Sequence, residues 1–235
     1  MFHYWKLKFF IATLLFDLFF YVDMIRYHPY RLVRKNIADT SLKYILAKMG
    51  HAVPFPTTRQ LLKFALNSVS TEGCYLEFGV FKGGSIRYIS KQITPNIIHG
   101  FDSFEGLPEV WQGAVSIADN FNARGKLPKV PKNVILHKGW FSETLPIFLK
   151  KNDQKVAFIH IDCDLYSSTK EVLSLLHDII VPGTIISFDE YFNVPNWEQN
   201  EFKAFQEYVI EHGVTYEYIA YSALQVTIKI LTINN

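Results

Sequence analysis

Short apolar runs alternate with stretches of helical periodicity along most of the chain. The apolar runs occupy residues 74–80, 97–101, 134–137, 156–161 and 184–188. The helical patterns that lie between most of them occupy residues 85–93, 142–151, 169–180 and 198–212. Strands that alternate with helices in this way predict a parallel sheet with helices on both faces, which is an α/β fold of the Rossmann-like kind.

The carboxyl-terminal part departs from this alternation. Residues 215–221 and 224–232 are two strand-like segments joined by a tight connection, which predicts an antiparallel hairpin. Five strand–helix units that finish in a hairpin predict a seven-stranded, mostly parallel sheet. Upstream of the first strand, residues 40–50 have helical periodicity, and Thr57 or Thr58 is expected to cap a second helix.

The segment 104–132 separates the second and third predicted strands and is rich in Gly, Pro, Asn and charged residues. Structureless loops of this length in compact domains are usually lids or binding loops. The segment leaves from the carboxyl end of its strand, where open α/β sheets bind ligands. We therefore predict that it forms a lid over a ligand site.

The amino terminus has a different character. Residues 9–22 are apolar apart from Thr13 and Asp17. This run is shorter than the ~20 apolar residues of a spanning helix, it carries a central charge, and no small-residue cleavage site follows it. We predict a helical extension over residues 1–36 and a main domain over residues 37–235. Three interpretations of the extension stay open: an interfacial membrane helix, a subunit-contact helix in a homo-oligomer, and a helix packed on the domain.

The formal net charge of +2 is unevenly distributed. Residues 1–36 contain six Lys and Arg against two Asp, which gives +4 and leaves −2 for the remainder. A slightly acidic main domain predicts no nucleic-acid partner, because phosphate binding needs a basic face. The two cysteines, Cys74 and Cys163, lie in predicted apolar strands, so we expect buried free thiols in a reducing compartment.

The most informative pattern is a glycine-rich turn between two acidic strand ends. Residues 77–85 read E-F-G-V-F-K-G-G-S, and the next predicted strand ends at Asp102. Glycines let a ligand approach the backbone, and an acid at the second strand end accepts hydrogen bonds from ribose hydroxyls. The spacing differs from the G-x-G-x-x-G of dinucleotide sites. It therefore favours the adenosyl group of a ligand such as S-adenosylmethionine over NAD.

Two further predicted strands end in pairs of acids. Asp162 and Asp164 follow one strand, and Asp189 and Glu190 follow the next. Four neighbouring carboxylates repel one another unless a cation compensates, and oxygen ligands suit Mg²⁺ or Mn²⁺. Such an ion would lower the pKa of a substrate hydroxyl while a carboxylate removes its proton. Alternatively, the strand-end aspartates only cap the following helices. His160, on the same strand as Asp162, is interpreted as a hydrogen-bonded core residue.

These motifs together resemble the macrocin O-methyltransferase family. They are the glycine-rich turn at 77–85, G-F-D-S-F-E-G-L-P at 100–108, G-W-F-S-E-T-L at 139–145, H-I-D-C-D-L-Y at 160–166 and F-D-E-Y at 188–191. The resemblance extends from about residue 57 to residue 191 and is weaker beyond. It implies the Rossmann-like class I methyltransferase fold and an enzyme that transfers a methyl group from S-adenosylmethionine to a hydroxyl of a sugar or a glycosylated small molecule.

The resemblance also implies roles for individual residues. Those expected to bind the cofactor are Glu77, Gly79, Phe81, Gly83, Ser85, Asp102, Ser103, Gly139 and Trp140. Mg²⁺ or Mn²⁺ is expected to be bound by Asp162, Asp189 and Glu190, with Asp162 also the catalytic base. Family members often have two aspartates where this chain has Asp189 and Glu190, so the third ligand is a departure from the family pattern.

Two other functions stay open. Asp162-Cys-Asp164 is formally a D-x-D motif, which a metal-dependent glycosyltransferase would use to bind a sugar nucleotide. A membrane-tethered binding protein that kept the fold and lost turnover would share the same pattern. We expect a small-molecule or glycan acceptor, a cytoplasmic location, and, if the extension is interfacial, peripheral contact of residues 1–36 with the inner face of the membrane.

Overall fold

The computed structural model describes residues 11–111 and 121–234, apart from residues 12, 16, 20 and 23. The chain divides into two compact units, Met1–Lys43 and Tyr44–Asn235. Each unit is described by itself below.

The first unit is helical where it is described. The described residues from 11 to 26 are in helical conformation, and helix α1 follows over Pro29–Lys48. Within the described part of the chain, no helix combines the length and the apolar character needed to cross a membrane. Most apolar side chains of this segment are exposed, and Ile37 and Ser41 are the buried residues of α1.

An eight-stranded sheet forms the centre of the second unit. Its strands are β1 (Val53–Pro54), β2 (Cys74–Phe78), β3 (Ile98–Asp102), β4 (Val134–Lys138), β5 (Val156–Ile161), β6 (Ile185–Phe188), β7 (Thr215–Tyr221) and β8 (Val226–Thr232). Their order across the sheet is β1-β7-β8-β6-β5-β2-β3-β4. Strands β2 to β6 pair in parallel, and β8 is antiparallel to both β6 and β7. The Rossmann-like α/β fold and its terminal hairpin are therefore confirmed.

The prediction of seven strands was one too few. The additional strand, β1, pairs in parallel with β7 at the edge of the sheet, and Phe55 N–H then donates to Tyr221 O at 2.8 Å. A strand of two residues is too short to show an alternating pattern in the sequence. Proline is tolerated at this position because an edge strand leaves one side of its backbone unpaired.

The central strands are apolar because the sheet is covered on both faces. All six residues of β5 are buried, including His160, and four of the five residues of β2 are buried. Strands in such a position form continuous apolar runs rather than alternating ones. Cys74 and Cys163 are buried free thiols, as predicted.

Amphipathic helices provide this cover. They are α2 (Thr58–Asn67), α3 (Gly84–Ile93), α4 (Phe141–Leu149), α5 (Tyr166–Leu176) and α6 (Glu201–Glu211). The predicted cap of α2 is confirmed at Thr57, whose Oγ1 accepts the Gln60 N–H at 3.3 Å. Helices α2 and α3 bury one apolar face each against the sheet, in a core that includes Leu62, Ile86 and Phe158.

The strand order reverses between β2 and β5. From β2 the chain continues outward through β3 and β4, and it then returns to place β5 and β6 on the other side of β2. The carboxyl ends of β2, β3, β5 and β6 therefore meet at one edge of the sheet. Open α/β sheets bind their ligands in the crevice outside such a reversal.

Candidate active site

The glycine-rich turn begins where β2 ends and lies against the end of β5. Gly79 has φ +90°, and a Cβ placed on it would lie 1.6 Å from the carbonyl oxygen of Asp162. The backbone of this turn is bonded to both neighbouring strands, since Gly79 N–H donates to Phe101 O at 3.0 Å and Asp162 N–H donates to Phe78 O at 2.8 Å. Gly79 thus allows the turn and the end of β5 to meet at backbone contact distance.

Asp102, at the end of β3, holds the turn in place. Its Oδ2 accepts the N–H groups of Val80 at 2.7 Å and Phe81 at 2.6 Å, and its Oδ1 accepts that of Phe104 at 2.6 Å. An ionised carboxylate has about four acceptor positions, so about one is left for a ligand. The predicted ribose acid is therefore also the residue that orders the turn and the beginning of the predicted lid.

Glu77 lies in β2, two residues before Gly79, and is fully buried. Its carboxylate accepts a hydrogen bond from Ser85 Oγ at 2.9 Å and lies 3.3 Å from His160 Nδ1. Burial raises the pKa of Glu77, and its contacts with His160 oppose that shift. Glu77 therefore anchors the first turn of α3 rather than facing a ligand directly. The interpretation of His160 as a hydrogen-bonded core residue is confirmed.

The three predicted metal residues come together at the ends of β5 and β6. One oxygen from each of Asp162, Asp189 and Glu190 lies within 4.8 Å of the others. Glu190 Oε2 is buried and has no hydrogen-bond partner among the described residues. His160 Nε2 approaches Asp189 Oδ1 at 3.8 Å, which is an ionic contact rather than a hydrogen bond.

Burial and mutual repulsion perturb these carboxyl groups. Burial, with Asp189 beside them, raises the pKa of Asp162 and Glu190 well above their usual range. The same causes raise the pKa of Asp164 to about 7. Asp189 differs: burial acts to raise its pKa, but the interactions with His160, Glu190 and Gln225 together outweigh burial and lower it. A cluster of this kind favours a cation, because a positive charge would relieve the repulsion.

A further carboxylate supports this cluster and was missed in the sequence. Glu201, the first residue of α6, is fully buried, and its Oε2 accepts the Glu190 N–H at 3.1 Å. Its Oε1 has no hydrogen-bond partner within the described chain. The sequence placed Glu201 inside a predicted helix, where an acid near the N-terminus is usually solvated. Only the packing of α6 against the end of β6 reveals its burial.

These elements surround a cavity of about 890 Å³. It brings together most of the predicted site residues, namely Gly79, Phe81, Ser85, Asp102, Ser103, Gly139, Trp140, Asp162 and Asp189. Glu77, Gly83 and Glu190 do not line it. Gly83 instead forms the N-cap of α3 with φ +73°, in the left-handed region that favours glycine. The wall also contains Thr58, Arg59 and Tyr88, none of which was predicted as a site residue.

The segment predicted as a lid borders this cavity from both of its described ends. The cavity is lined by Gly106, Leu107, Pro108 and Glu109 from the first end of the segment and by Phe121 from the second. Phe121 also contacts the glycine-rich turn, with its ring centroid 5.7 Å from that of Phe81. Residues 112–120 of the predicted lid lie outside the described residues.

Comparison with known proteins agrees with this geometry. A family model described as a methyltransferase domain matches residues 76–191. The chain is 29% identical over 160 residues to the 8-demethyl-8-(2,3-dimethoxy-alpha-L-rhamnosyl)-tetracenomycin-C 4'-O-methyltransferase of Streptomyces olivaceus. The match covers 55% of this chain and 58% of that protein. The chain thus spans less than two thirds of the length of this curated relative.

Two solved structures show the same fold. A calicheamicin methyltransferase superimposes with a TM-score of 0.57 at 21% identity, over 73% of this chain and 77% of its own. The O-methyltransferase NovP superimposes with a TM-score of 0.57 at 21% identity, over 74% of this chain and 79% of its own. At such low identity the likeness is one of fold.

Proposed function

Because residues 76–191 match the methyltransferase-domain family, we propose that this chain is an S-adenosylmethionine-dependent O-methyltransferase of the macrocin type. One observation carries the proposal. The glycine-rich turn and two members of the carboxylate cluster, Asp162 and Asp189, line one cavity of about 890 Å³ at the reversal of the strand order. A methyl donor and a hydroxyl acceptor need this arrangement, because the reaction requires both in contact.

The cofactor fits the side of the cavity formed by the turn. Gly84, the first residue of α3, has nothing within 4 Å of a Cβ placed on it, so ligand atoms can approach the backbone there. The remaining acceptor position of Asp102 suits a ribose hydroxyl. Phe81 and Trp140 offer aromatic surface to a purine, and Ser103 and Gly139 complete this wall.

The acid cluster fits a hard divalent cation. Three carboxylates offer oxygen atoms at close range, and Glu190 Oε2 is buried without a partner. Oxygen-only ligands of this kind suit Mg²⁺ or Mn²⁺. Asp162, Asp189 and Glu190 would hold the ion. Glu201 would hold the backbone of Glu190 through its hydrogen bond to the Glu190 N–H.

We propose a sugar hydroxyl as the acceptor. The relative from Streptomyces olivaceus is named as a 4'-O-methyltransferase of a rhamnosyl tetracenomycin, and the chain shares 29% identity with it. The cavity suits such an acceptor because its polar groups lie beside apolar surface from Leu107, Pro108 and Phe121. A sugar presents hydroxyls to the carboxylates, and a non-sugar part of the molecule can pack on the apolar wall.

Different residues of the chain would have different roles in the reaction. When bound, S-adenosylmethionine supplies an electrophilic methyl group on its sulfonium, and Mg²⁺ supplies a Lewis acid that lowers the pKa of a hydroxyl. Asp162 belongs to the acid cluster, and its backbone carbonyl lies against Gly79 of the turn, so it would accept the proton of an acceptor hydroxyl bound between the two. The turn and Asp102 would hold S-adenosylmethionine, whose methyl group would pass to the acceptor oxygen while the electron pair of the broken carbon–sulfur bond stays on sulfur. The segment 104–132 excludes water from both ligands.

Neither alternative function is supported by the comparisons. A sugar nucleotide would place its diphosphate near Asp162 and Asp164, but the glycine-rich turn would then have no ligand. A binding protein without turnover would have no use for the buried, mutually repelling acids of the cluster, whose burial is unfavourable.

The proposal is tested first by calorimetric titration of S-adenosylhomocysteine, with Mg²⁺ and then with chelator. We expect micromolar binding in both conditions, and a separate heat of Mg²⁺ binding that Asp189→Ala abolishes. Failure of S-adenosylhomocysteine to bind, together with Mg²⁺-dependent binding of a sugar nucleotide, would favour a glycosyltransferase instead.

Catalysis is tested with Asp162→Asn in a methyl-transfer assay on rhamnosylated acceptors. We expect kcat to fall by about 100-fold or more, because the proton acceptor is lost. Affinity for S-adenosylhomocysteine should change by less than about threefold, since the backbone contact at Gly79 is kept. Asp178→Asn is the matched control, because Asp178 is an exposed carboxylate away from the cavity. Unchanged turnover in Asp162→Asn would contradict the assigned role.

A further inference from the structure

The described part of the amino-terminal helix has a row of apolar side chains along one face. Ile11, Leu14, Leu15, Leu18 and Val22 follow the i, i+3, i+4, i+7 spacing that aligns residues on one side of a helix. We name these five residues the apolar row. Each is 46% to 59% exposed, so in the described structure little of the chain covers them.

Two polar residues, Thr13 and Asp17, are grouped on the side of this helix away from the apolar row, where Met24 is also exposed. Thr13 and Asp17 are four residues apart and both are exposed. They lie on the side away from the apolar row, because a helix turns by about 100° per residue. The segment is therefore amphipathic. Asp17 lies in the middle of the apolar stretch, which disfavours burial of the helix across a hydrocarbon layer.

Exposed basic residues follow the apolar row. They are Arg26, Arg31, Arg34 and Lys35, of which Lys35 is paired with Asp39 at 2.7 Å. With them, residues 1–36 carry +4, whereas the rest of the chain carries −2. An amphipathic helix beside a basic segment has the two features that bind a helix to an anionic lipid surface: apolar area for the acyl boundary and positive charge for the headgroups.

We propose that residues 11–35 bind the surface of a membrane that contains anionic lipid. Charge complementarity decides between this partner and a second copy of the chain. A second copy would bring the same cluster of positive charges to the contact, whereas anionic headgroups neutralise it. The inner face of the cytoplasmic membrane presents such lipids. The proposal concerns the first unit and is independent of the chemistry proposed for the cavity.

The test is co-sedimentation of the full chain with vesicles. One set contains phosphatidylcholine alone, and the other also contains phosphatidylglycerol. We expect binding to the anionic vesicles that weakens with added salt, because exposed charges are screened. Leu14→Glu with Leu18→Glu should lower the partition coefficient by about tenfold or more, because two apolar contacts are lost and two negative charges are added.

Further variants and a binding measurement make the outcome of the vesicle experiment specific. Ile210→Glu is the matched control, because Ile210 is an exposed apolar residue of α6, and we expect unchanged vesicle binding. Arg31→Glu with Arg34→Glu should remove the preference for anionic vesicles. S-adenosylhomocysteine affinity measured on the leucine double variant should equal that of the wild type, so a failure of this proposal is distinguishable from a failure of the proposed function.

Two results would overturn the proposal. One is the absence of binding to either kind of vesicle. The other is a concentration-dependent dimer in sedimentation velocity that the leucine substitutions abolish while vesicle binding is unaffected. That second result would assign the apolar row to a contact between copies of the chain.

Discussion

Two glycines of the same turn have different physical roles. At Gly79 a Cβ would lie 1.6 Å from the carbonyl oxygen of Asp162, and φ is +90°. At Gly84 a Cβ would meet nothing within 4 Å. Glycine is therefore required at position 79 because the turn packs against the backbone of Asp162. Gly84, in contrast, leaves space on the side where the ligand is proposed to bind.

This difference predicts opposite behaviour of two alanine variants. Gly79→Ala should lower the free energy of unfolding by about 3 kcal/mol or more, because the turn must move away from β5 and the new residue has a strained φ. Gly84→Ala should change it by less than about 1 kcal/mol and should instead weaken S-adenosylhomocysteine binding. Urea unfolding and calorimetry measure the two effects. Equal destabilisation by both variants would contradict the assignment.

A histidine pair lies outside the cavity, on β3 and β4. His99 Nδ1 is 3.0 Å from His137 Nε2, and the His137 ring stacks on Phe101 with centroids 4.4 Å apart. Burial and, to a smaller extent, the neighbouring His137 lower the pKa of His99 from its usual 6.5 to about 4. Neither histidine lines the cavity, so we assign this pair to the packing of the sheet edge.

The depressed pKa of His99 predicts a pH dependence of stability. In the unfolded chain His99 becomes protonated below about pH 6.5, whereas in the folded chain it stays neutral until about pH 4. The contribution of neutral His99 to the free energy of unfolding is therefore complete above pH 6.5 and is lost as the pH falls towards 4. Between about pH 7 and pH 5, the free energy of unfolding of the wild type should fall by about 1 kcal/mol more than that of His99→Phe. The difference is moderate because solvent screens part of the effect. His51→Gln, at an exposed histidine, should retain the wild-type slope in urea unfolding.

At the scale of elements, a network of tyrosine hydroxyls joins α1, β7 and the segment after β6. Tyr218 is its centre, with its hydroxyl 2.6 Å from that of Tyr44, 2.7 Å from that of Tyr191 and 3.1 Å from that of Tyr216. Gln206 of α6 donates to the hydroxyls of Tyr191 and Tyr216. Because Tyr191 directly follows Glu190, the network also fixes the strand end that carries the acid cluster.

Removal of the central hydroxyl should therefore cost stability. Tyr218→Phe is expected to lower the free energy of unfolding by about 1 to 3 kcal/mol, because it leaves partly buried hydroxyls with fewer partners. Tyr221→Phe, on the same strand but outside this network, should change it by less than about 0.5 kcal/mol. Thermal unfolding of both variants checks the prediction. A similar change in both would mean that the network adds little stability.

At the scale of the whole molecule, the chain combines two units of different character. The second unit contains the sheet, the cavity and the acid cluster, whereas the first contains the apolar row and carries a net positive charge. The predicted main domain, residues 37–235, retains every residue that lines the cavity. It also retains Ile37 and Ser41, the buried residues of α1.

A shortened chain of residues 37–235 is therefore expected to fold and to bind S-adenosylhomocysteine within about threefold of the full chain, which is less than 1 kcal/mol. Circular dichroism shows whether it folds, and calorimetry measures the affinity. Loss of binding in a folded, shortened chain would show that residues 1–36 contribute to the site and would contradict the predicted boundary.

The sequence by itself determined the order of the elements and the gathering of the acids. The apolar run 156–161 coincides with β5, because a strand covered on both faces must be continuously apolar. Asp162 and Asp189 could be placed together because the carboxyl ends of neighbouring parallel strands share one edge of the sheet. These properties follow from local periodicity and from topology, and both can be read along the chain.

Only the tertiary structure decided how individual groups are used. It showed that Asp102 binds three backbone N–H groups, that Gly79 faces a carbonyl oxygen of another strand, and that Glu201 is buried. It also revealed β1, whose two residues carry no pattern of their own. Each of these facts depends on contacts between residues far apart in the sequence. Local periodicity contains no information about them, because it reports which face of an element is buried but not which atoms it meets.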